Sequence, residues 1–293
     1  MPDAADITPA KAPPAWTAKE ALQAHWPAYL IEAAGLGIFM LVAGLAGTAL
    51  EAPHAFLRSA IDAAWLRRVL MGLAMGVTAS ALVYSPWGKR SGAHFNPALT
   101  LAFFSVGKVR AWDALFYIVA QTAGGIVGVL LVQTLCGAAF TDPPVQFIVT
   151  VPGRWGCQVA LAAECAISFG LMTLVLVSSN RARLARYTGL LCGALIALYV
   201  TVEAPLSGMS MNPARTVASA LPSAIWRDVW IYLTAPLAGM WLAAWMYQRR
   251  TRHNHIACAK LHHDDGLECM FICSYVVHRR RQTFLASPPP PAV

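Results

Sequence analysis

The chain has 293 residues, 57% of them hydrophobic and only 12% charged, and its mean hydropathy is +0.53. A soluble domain carries about twice that charge, so the composition excludes an ordinary water-soluble enzyme and points to a multi-span membrane protein. The net charge of +8 gathers at the ends of apolar runs, which makes it a topology signal rather than a nucleic-acid footprint.

Residues 1–26 are rich in Ala and Pro and lack the pattern of a signal peptide, so they read as a mobile cytoplasmic leader. The first predicted span runs from about Pro27 to Leu50 and carries one charge, Glu32. The second covers about Arg68 to Tyr84. An apolar helix over about Pro97 to Ser105 follows, and at ~1.5 Å per residue it reaches only about 13 Å, under half of a ~30 Å hydrocarbon core. It is therefore expected to be a half-helix fed by a re-entrant loop, covered by protein or lining a cavity. The third span, about Trp112 to Cys136, carries Gly124 and Gly128 as a close-packing face.

After the turn-rich stretch Asp142-Pro143-Pro144 and Pro152-Gly153 the pattern restarts. A fourth span, about Cys157 to Ser178, holds Glu164. A fifth runs from about Tyr187 to Glu203, a second loop and half-helix cover about Ser207 to Leu221, and a sixth span runs from about Val229 to Tyr247. The repeats, about 27–136 and 157–247, each hold an odd number of spans and must be inverted relative to one another. The fold class is an all-α membrane protein with six transmembrane helices, two re-entrant half-helices and an inverted internal repeat. Cys136, Cys157, Cys165 and Cys192 lie in or beside the apolar runs and read as packing residues.

One short string occurs in both halves: Ser91-Gly92-Ala93-His94-Phe95-Asn96-Pro97-Ala98 and Ser207-Gly208-Met209-Ser210-Met211-Asn212-Pro213-Ala214-Arg215. Asn is a strong N-cap and Pro suits the first helical position, so each string starts a helix. A capping Asn keeps N–H donors for other partners. Inversion brings the two half-helices in from opposite sides, N-termini meeting at the midplane, where two positive dipole ends would repel protons and cations. Asn96 and Asn212 would donate to a permeant oxygen. The backbone carbonyls of Gly92, Ala93, His94 and Phe95, and of Gly208, Met209, Ser210 and Met211, would supply acceptors along the path. Arg215 has Leu99 as its counterpart and sits about 4.5 Å beyond Asn212, which places it at an outer constriction. Glu32 and Glu164 read as anchors for loop amides.

Lys89, Arg90, Lys108, Arg110, Arg181, Arg183, Arg186 and the basic tail from Arg249 fall on one side, and Arg58, Arg154 and Arg227 on the other, with Arg67 and Arg68 at a span edge. Both termini are expected in the cytoplasm and the protein in the plasma (inner) membrane.

These motifs strongly resemble the aquaporin, or major intrinsic protein, family over about residues 27–248. The resemblance implies a homotetramer with one pore per subunit, passing water or small uncharged solutes without catalysis. It also implies a four-residue filter, which motif alignment places at Met75, Val200, Met209 and Arg215. Water channels of the family usually carry an aromatic residue at the Met75 position and His at that of Val200; Val200 resembles wider channels for glycerol-like solutes or metalloids. Thr216 and the short segment before the sixth span resemble water channels instead. The filter is thus mixed. A channel for water and possible small uncharged solutes (glycerol, urea, metalloid hydroxides) is expected, with a glycerol or metalloid facilitator and a coupled secondary transporter as the alternatives. No nucleophile and base pair stands out, so no enzyme is expected, and the pore needs no cofactor.

Residues 249–293 lie outside the resemblance. Cys258-x₃-His262 and Cys269-x₃-Cys273 could form a four-ligand zinc site, with Asp264-Asp265-Gly266 as the turn between them. The alternative is a disordered basic tail with reduced thiols. A regulatory protein whose working part is this tail is a third functional class.

Overall fold

The computed structural model describes residues 16–250, 256–263 and 269–275. The first helix, α1 (Ala18–Glu51), starts well before Pro27. The reason is a capping box: Thr17 Oγ1 accepts from the Glu20 amide while the Glu20 carboxylate accepts from the Thr17 amide. Residues 18–26, expected in a mobile leader, are therefore helical, and Pro27 lies inside α1. This extension is tied down at its base. His25 Nδ1 and the Tyr29 hydroxyl lie 2.8 and 2.6 Å from the buried Asp113 carboxylate, and Trp16 is sandwiched between His25 and Arg110.

The chain then forms α2 (Phe56–Ala60), α3 (Ala64–Tyr84), α4 (Pro86–Ser91), the half-helix α5 (Pro97–Ser105) and α6 (Ala111–Cys136). After α7 (Ala138–Thr141) and a 3-10 turn the second repeat follows: α8 (Gly156–Ser179), α9 (Thr188–Val202), α10 (Ala204–Ser207), the half-helix α11 (Pro213–Ser223) and α12 (Val229–Arg250). Among the described residues, six helical segments are long and apolar enough to cross a membrane, including the stretch Ala185–Val202 that contains α9. The protein is a multi-pass membrane protein. Each half-helix is preceded by a short helix, α4 or α10, that ends at a left-handed glycine, Gly92 or Gly208. These two turns were not anticipated from the sequence.

The spans pack as α1 on α6 and α8 on α12 within each repeat, and as α3 on α9 between repeats. Each half-helix leans on the other repeat's last span: α11 on α6, and α5 on α12. The closest approach is between α1 and α6, where a Cβ on Gly124 or Gly128 would collide with the carbonyls of Ala33 and Gly37. Exposed leucines and valines such as Leu73, Val77, Leu130 and Leu198 face outward, as hydrocarbon contact requires. Exposed tryptophans collect at both ends, Trp26, Trp87 and Trp112 at one and Trp65, Trp155 and Trp226 at the other, the pattern of an interfacial belt. One end of the bundle holds Arg215; the other holds residues 256–263 and 269–275.

Candidate functional site

Each repeat sends its loop to the middle of the bundle on a buried glutamate. The Glu32 carboxylate accepts from Ser91 Oγ (2.7 Å), the amides of His94 (3.1 Å) and Phe95 (2.6 Å), and Gln121 Nε2 (2.7 Å). Glu164 repeats this with Ser207 Oγ (2.7 Å) and the amides of Ser210 (2.7 Å) and Met211 (2.8 Å). Two tyrosines complete the scaffold: Tyr117 donates to the Ser91 carbonyl at 2.6 Å, and Tyr232 to the Ser207 carbonyl at 2.5 Å. Bonds to a charged acceptor are among the strongest available to a buried loop. They offset an unusual backbone, in which Gly92, Ala93 and Phe95, and equally Gly208, Met209 and Met211, have positive φ.

The loops end at two asparagines that interlock. Asn96 Oδ1 caps α5 through the Ala98 amide, and its Nδ2 donates to the Met211 carbonyl at 2.7 Å. Asn212 Oδ1 caps α11 through the amides of Ala214 and Arg215, and its Nδ2 donates to the Phe95 carbonyl at 2.7 Å. One N–H of each amide is thus spent across the loops, and the other is left for a passing oxygen. Pro97 and Pro213 open the half-helices as N1 residues, with Ala98 and Ala214 buried behind them.

A cavity of about 520 Å³ runs past both asparagines. Met75, Val200, Met209 and Arg215 all line it, as do Ala93, His94, Phe95, Gly208, Ser210 and Met211. Gly92, expected to present a carbonyl to the path, does not line it: that carbonyl accepts from the Leu261 amide at 3.1 Å. The Arg215 guanidinium donates to Thr150 Oγ1. Arg67, assigned from the sequence to a span edge, instead turns inward and lines the same end. Two bonds to the Glu51 carboxylate (3.0 and 3.2 Å) and two to the carbonyls of Ile61 and Asp62 hold it there.

At the opposite end the C-terminal segment covers the cavity, and Leu261 lines its floor. His94 Nε2 lies 2.9 Å from the Ala259 carbonyl and therefore carries the proton, while its ring stacks between Phe103 and Phe271. Cys258, Cys269 and Cys273 converge here with His263, their ligand atoms all within 4.8 Å of one another. His262, the expected fourth partner, points elsewhere and meets the Tyr84 ring edge-on at 5.1 Å. The expectation paired Cys258 with a residue one helical turn away, but residues 256–263 are not helical, so that spacing has no force. The turn expected at 264–266 lies outside the described residues. Hydrogen bonds with Cys258 and Cys269 hold the Cys273 thiol below its ordinary range, and hydrogen bonds with Cys269 and Cys273 push Cys258 above it.

Tyr117, Gln121 and the tail contacts were missed in the sequence because they act across long sequence distances, and Arg67 because its partners Glu51, Ile61 and Asp62 meet it only through the fold of the loop before α3. Comparison with known proteins agrees with this geometry. The Major intrinsic protein family model matches residues 21–247. Aquaporin NIP1-2 of Arabidopsis thaliana is 33% identical over 216 residues, covering 71% of this chain and 69% of that protein. Aquaporin NIP1-3 of Oryza sativa subsp. japonica is 37% identical over 59% of this chain and 58% of its own length. Nodulin-26 of Glycine max is 34% identical over 60% and 64%. The chain thus spans somewhat under two thirds of the length of the latter two relatives. Among solved structures, the aquaglyceroporin from Plasmodium falciparum superposes with a TM-score of 0.64 at 19% identity, covering 77% of this chain and 96% of that one. The chain belongs to the major intrinsic protein family, the aquaporins, and is a channel rather than an enzyme.

Proposed function

We propose that the protein passes water and small uncharged solutes of glycerol size down their gradients, and excludes protons and ions. The observation that carries this is the lining at the Arg215 end: Met75, Val200 and Met209 give an apolar, deformable wall facing one fixed cation. Such a wall offers water few hydrogen bonds and gives a carbon backbone a surface to slide on. Arg215, Arg67 and Arg68 line this entrance together with Glu51, three positive charges against one negative. At the midplane two half-helix N-termini each add roughly half a positive charge, so a cation meets a barrier where it has shed its water. A neutral solute meets the spare amide donors of Asn96 and Asn212 instead. The names of the relatives and of the structural neighbour, aquaporins and an aquaglyceroporin, support both solute types. We further place the protein in the plasma (inner) membrane as a homotetramer, each subunit holding its own pore and both termini in the cytoplasm; the Lys and Arg clusters at the tail-bearing end support that orientation.

The test is stopped-flow light scattering on proteoliposomes, comparing water and glycerol permeability of the wild type and Met209→Phe. Both solutes should cross in the wild type, and the phenylalanine should cut glycerol several-fold more than water. Glycerol flux no faster than in empty liposomes beside fast water flux would restrict the protein to water. Saturable uptake driven by an ion gradient would replace the channel with a coupled transporter.

A further inference from the structure

We propose that Cys258, His263, Cys269 and Cys273 form a tetrahedral zinc site, and that zinc held there closes the pore by fixing the C-terminal segment across its mouth. The metal site stands on its own geometry; the closure rests on the channel reading above.

The donor set is three thiols and one imidazole with no carboxylate, the soft combination that selects zinc and disfavours calcium or magnesium. Tetrahedral zinc with bonds of ~2.3 Å to sulfur and ~2.0 Å to nitrogen places its ligands about 3.5–3.8 Å apart. Here Cys258 Sγ lies 3.4 Å from Cys269 Sγ, and His263 Nε2 lies 3.3 Å from Cys273 Sγ. All four atoms fall within 4.8 Å of one another. These are ligand-to-ligand spacings, far beyond a disulfide bond of ~2.05 Å. Binding would displace the thiol protons to solvent.

The residues that cover the pore are interleaved with the ligands. Between Cys258 and His263, the Ala259 carbonyl accepts from His94, the Leu261 amide donates to Gly92, and the Leu261 side chain enters the cavity. Between Cys269 and Cys273, the Met270 carbonyl accepts from Arg110 at 2.9 Å, Phe271 stacks on His94 at 5.3 Å, and the Ile272 amide donates to the Lys108 carbonyl at 3.0 Å. An ion joining the two segments therefore fixes these contacts across the mouth together. Apart from the ligand atoms, the described parts of the segments meet through the Ser274 amide and hydroxyl on the Ala257 carbonyl and through the stack of His263 on Tyr275 at 4.2 Å. Short segments of this kind depend on a metal for their fold. Docking also buries the Lys260 amine, which has no hydrogen-bond partner among the described residues, a cost that keeps closure dependent on the ion.

The experiment uses the full chain in detergent and in proteoliposomes, with three readouts: zinc content, amide hydrogen exchange of residues 256–263, and water permeability with and without a membrane-permeant chelator. Zinc should be equimolar with the chain, lost in Cys269→Ser and His263→Ala, and retained in His262→Ala. Chelation should expose residues 256–263 to exchange and, if the open form is a minor state of 10% or less, raise water permeability about tenfold or more. A chain ending at Arg250 should show that high permeability with no response to chelator. Substoichiometric zinc in the wild type, or loss of zinc in His262→Ala with retention in His263→Ala, would overturn the site. Zinc bound while exchange and flux ignore its removal would overturn the closure. Opening by a reductant but not by the chelator would replace the ion with a disulfide. If no form conducts, the truncated chain included, the channel reading fails, and zinc content and exchange still decide the clamp.

Discussion

The two loops at the centre share a backbone and differ in what they face. Both run through the same alternation of positive φ, hang from one glutamate, take one tyrosine hydroxyl at the serine carbonyl and end at an asparagine that reaches across to the other. His94 in the first loop has Ser210 as its counterpart, and Leu99 has Arg215. Ser210 closes on itself through Thr216 at 2.6 Å, whereas His94 reaches both Thr100 and the C-terminal segment. One scaffold thus carries two different mouths, with Arg215 lining one and the C-terminal segment docked on His94 at the other. The residues the loops share should govern stability, and those in which they differ should govern traffic.

The largest effect is expected from the shared glutamates. Glu32→Ala leaves four donors buried without an acceptor, and Glu164→Ala leaves three. At roughly 1–3 kcal/mol for each orphaned group, Glu32→Ala loses about 4 kcal/mol or more and Glu164→Ala about 3 kcal/mol or more. Thermal unfolding in detergent should rank Glu32→Ala below Glu164→Ala, with both far below the wild type. Near-native stability in either would mean that the loop holds its shape without the carboxylate.

Next in size is Arg215→Val, which gives the second loop an aliphatic residue where the first has Leu99. It removes a fixed charge from the entrance without touching the Glu164 scaffold. A barrier change of about 1.4 kcal/mol is tenfold in rate, and we expect at least that increase in glycerol permeability relative to water. Stopped-flow permeability for both solutes measures it. An unchanged ratio would move the selective contact to Arg67 or to the methionines.

These contrasts mark what the sequence could and could not disclose. The Asn-Pro-Ala strings, the paired span glutamates and the half-helix over Pro97–Ser105 are local signals: a cap, a proline and an apolar run too short to span. They are legible without any partner. Arg67 is not, because its inward turn depends on Glu51 and on the carbonyls of Ile61 and Asp62 in the loop before α3. Tyr117 and Gln121 carry no motif and gain meaning only when α6 packs on α1. In the tail, the cysteines were visible as donors but the histidine was misassigned, since irregular chain has no period from which to choose His263 over His262.

A smaller effect is expected from His94→Ser, which makes the first loop copy the second. The substitution removes the stack on Phe271 and the bond to Ala259 and leaves the amide on Glu32 in place. Those contacts are worth about 1–2 kcal/mol together. Hydrogen exchange should show residues 256–263 exposed about tenfold more often while the rest of the bundle keeps its protection. Equal protection in both proteins would mean that the histidine is a bystander to docking.

The smallest effect separates the two tyrosines. Tyr232→Phe deletes one bond, to the Ser207 carbonyl, whereas Tyr117→Phe deletes the bond to Ser91 and a 3.1 Å contact with Met270 Sδ. Each lost bond to a carbonyl costs about 1 kcal/mol, or roughly 2–4 °C in melting temperature for a chain of this size. Tyr117→Phe should melt lower, because its hydroxyl supports the loop and the C-terminal segment at once. In a chain ending at Arg250 the second role is gone, and the two substitutions should cost the same. A difference that persists there would place the asymmetry inside the membrane bundle, and the inequality of the two mouths would then not come from the tail alone.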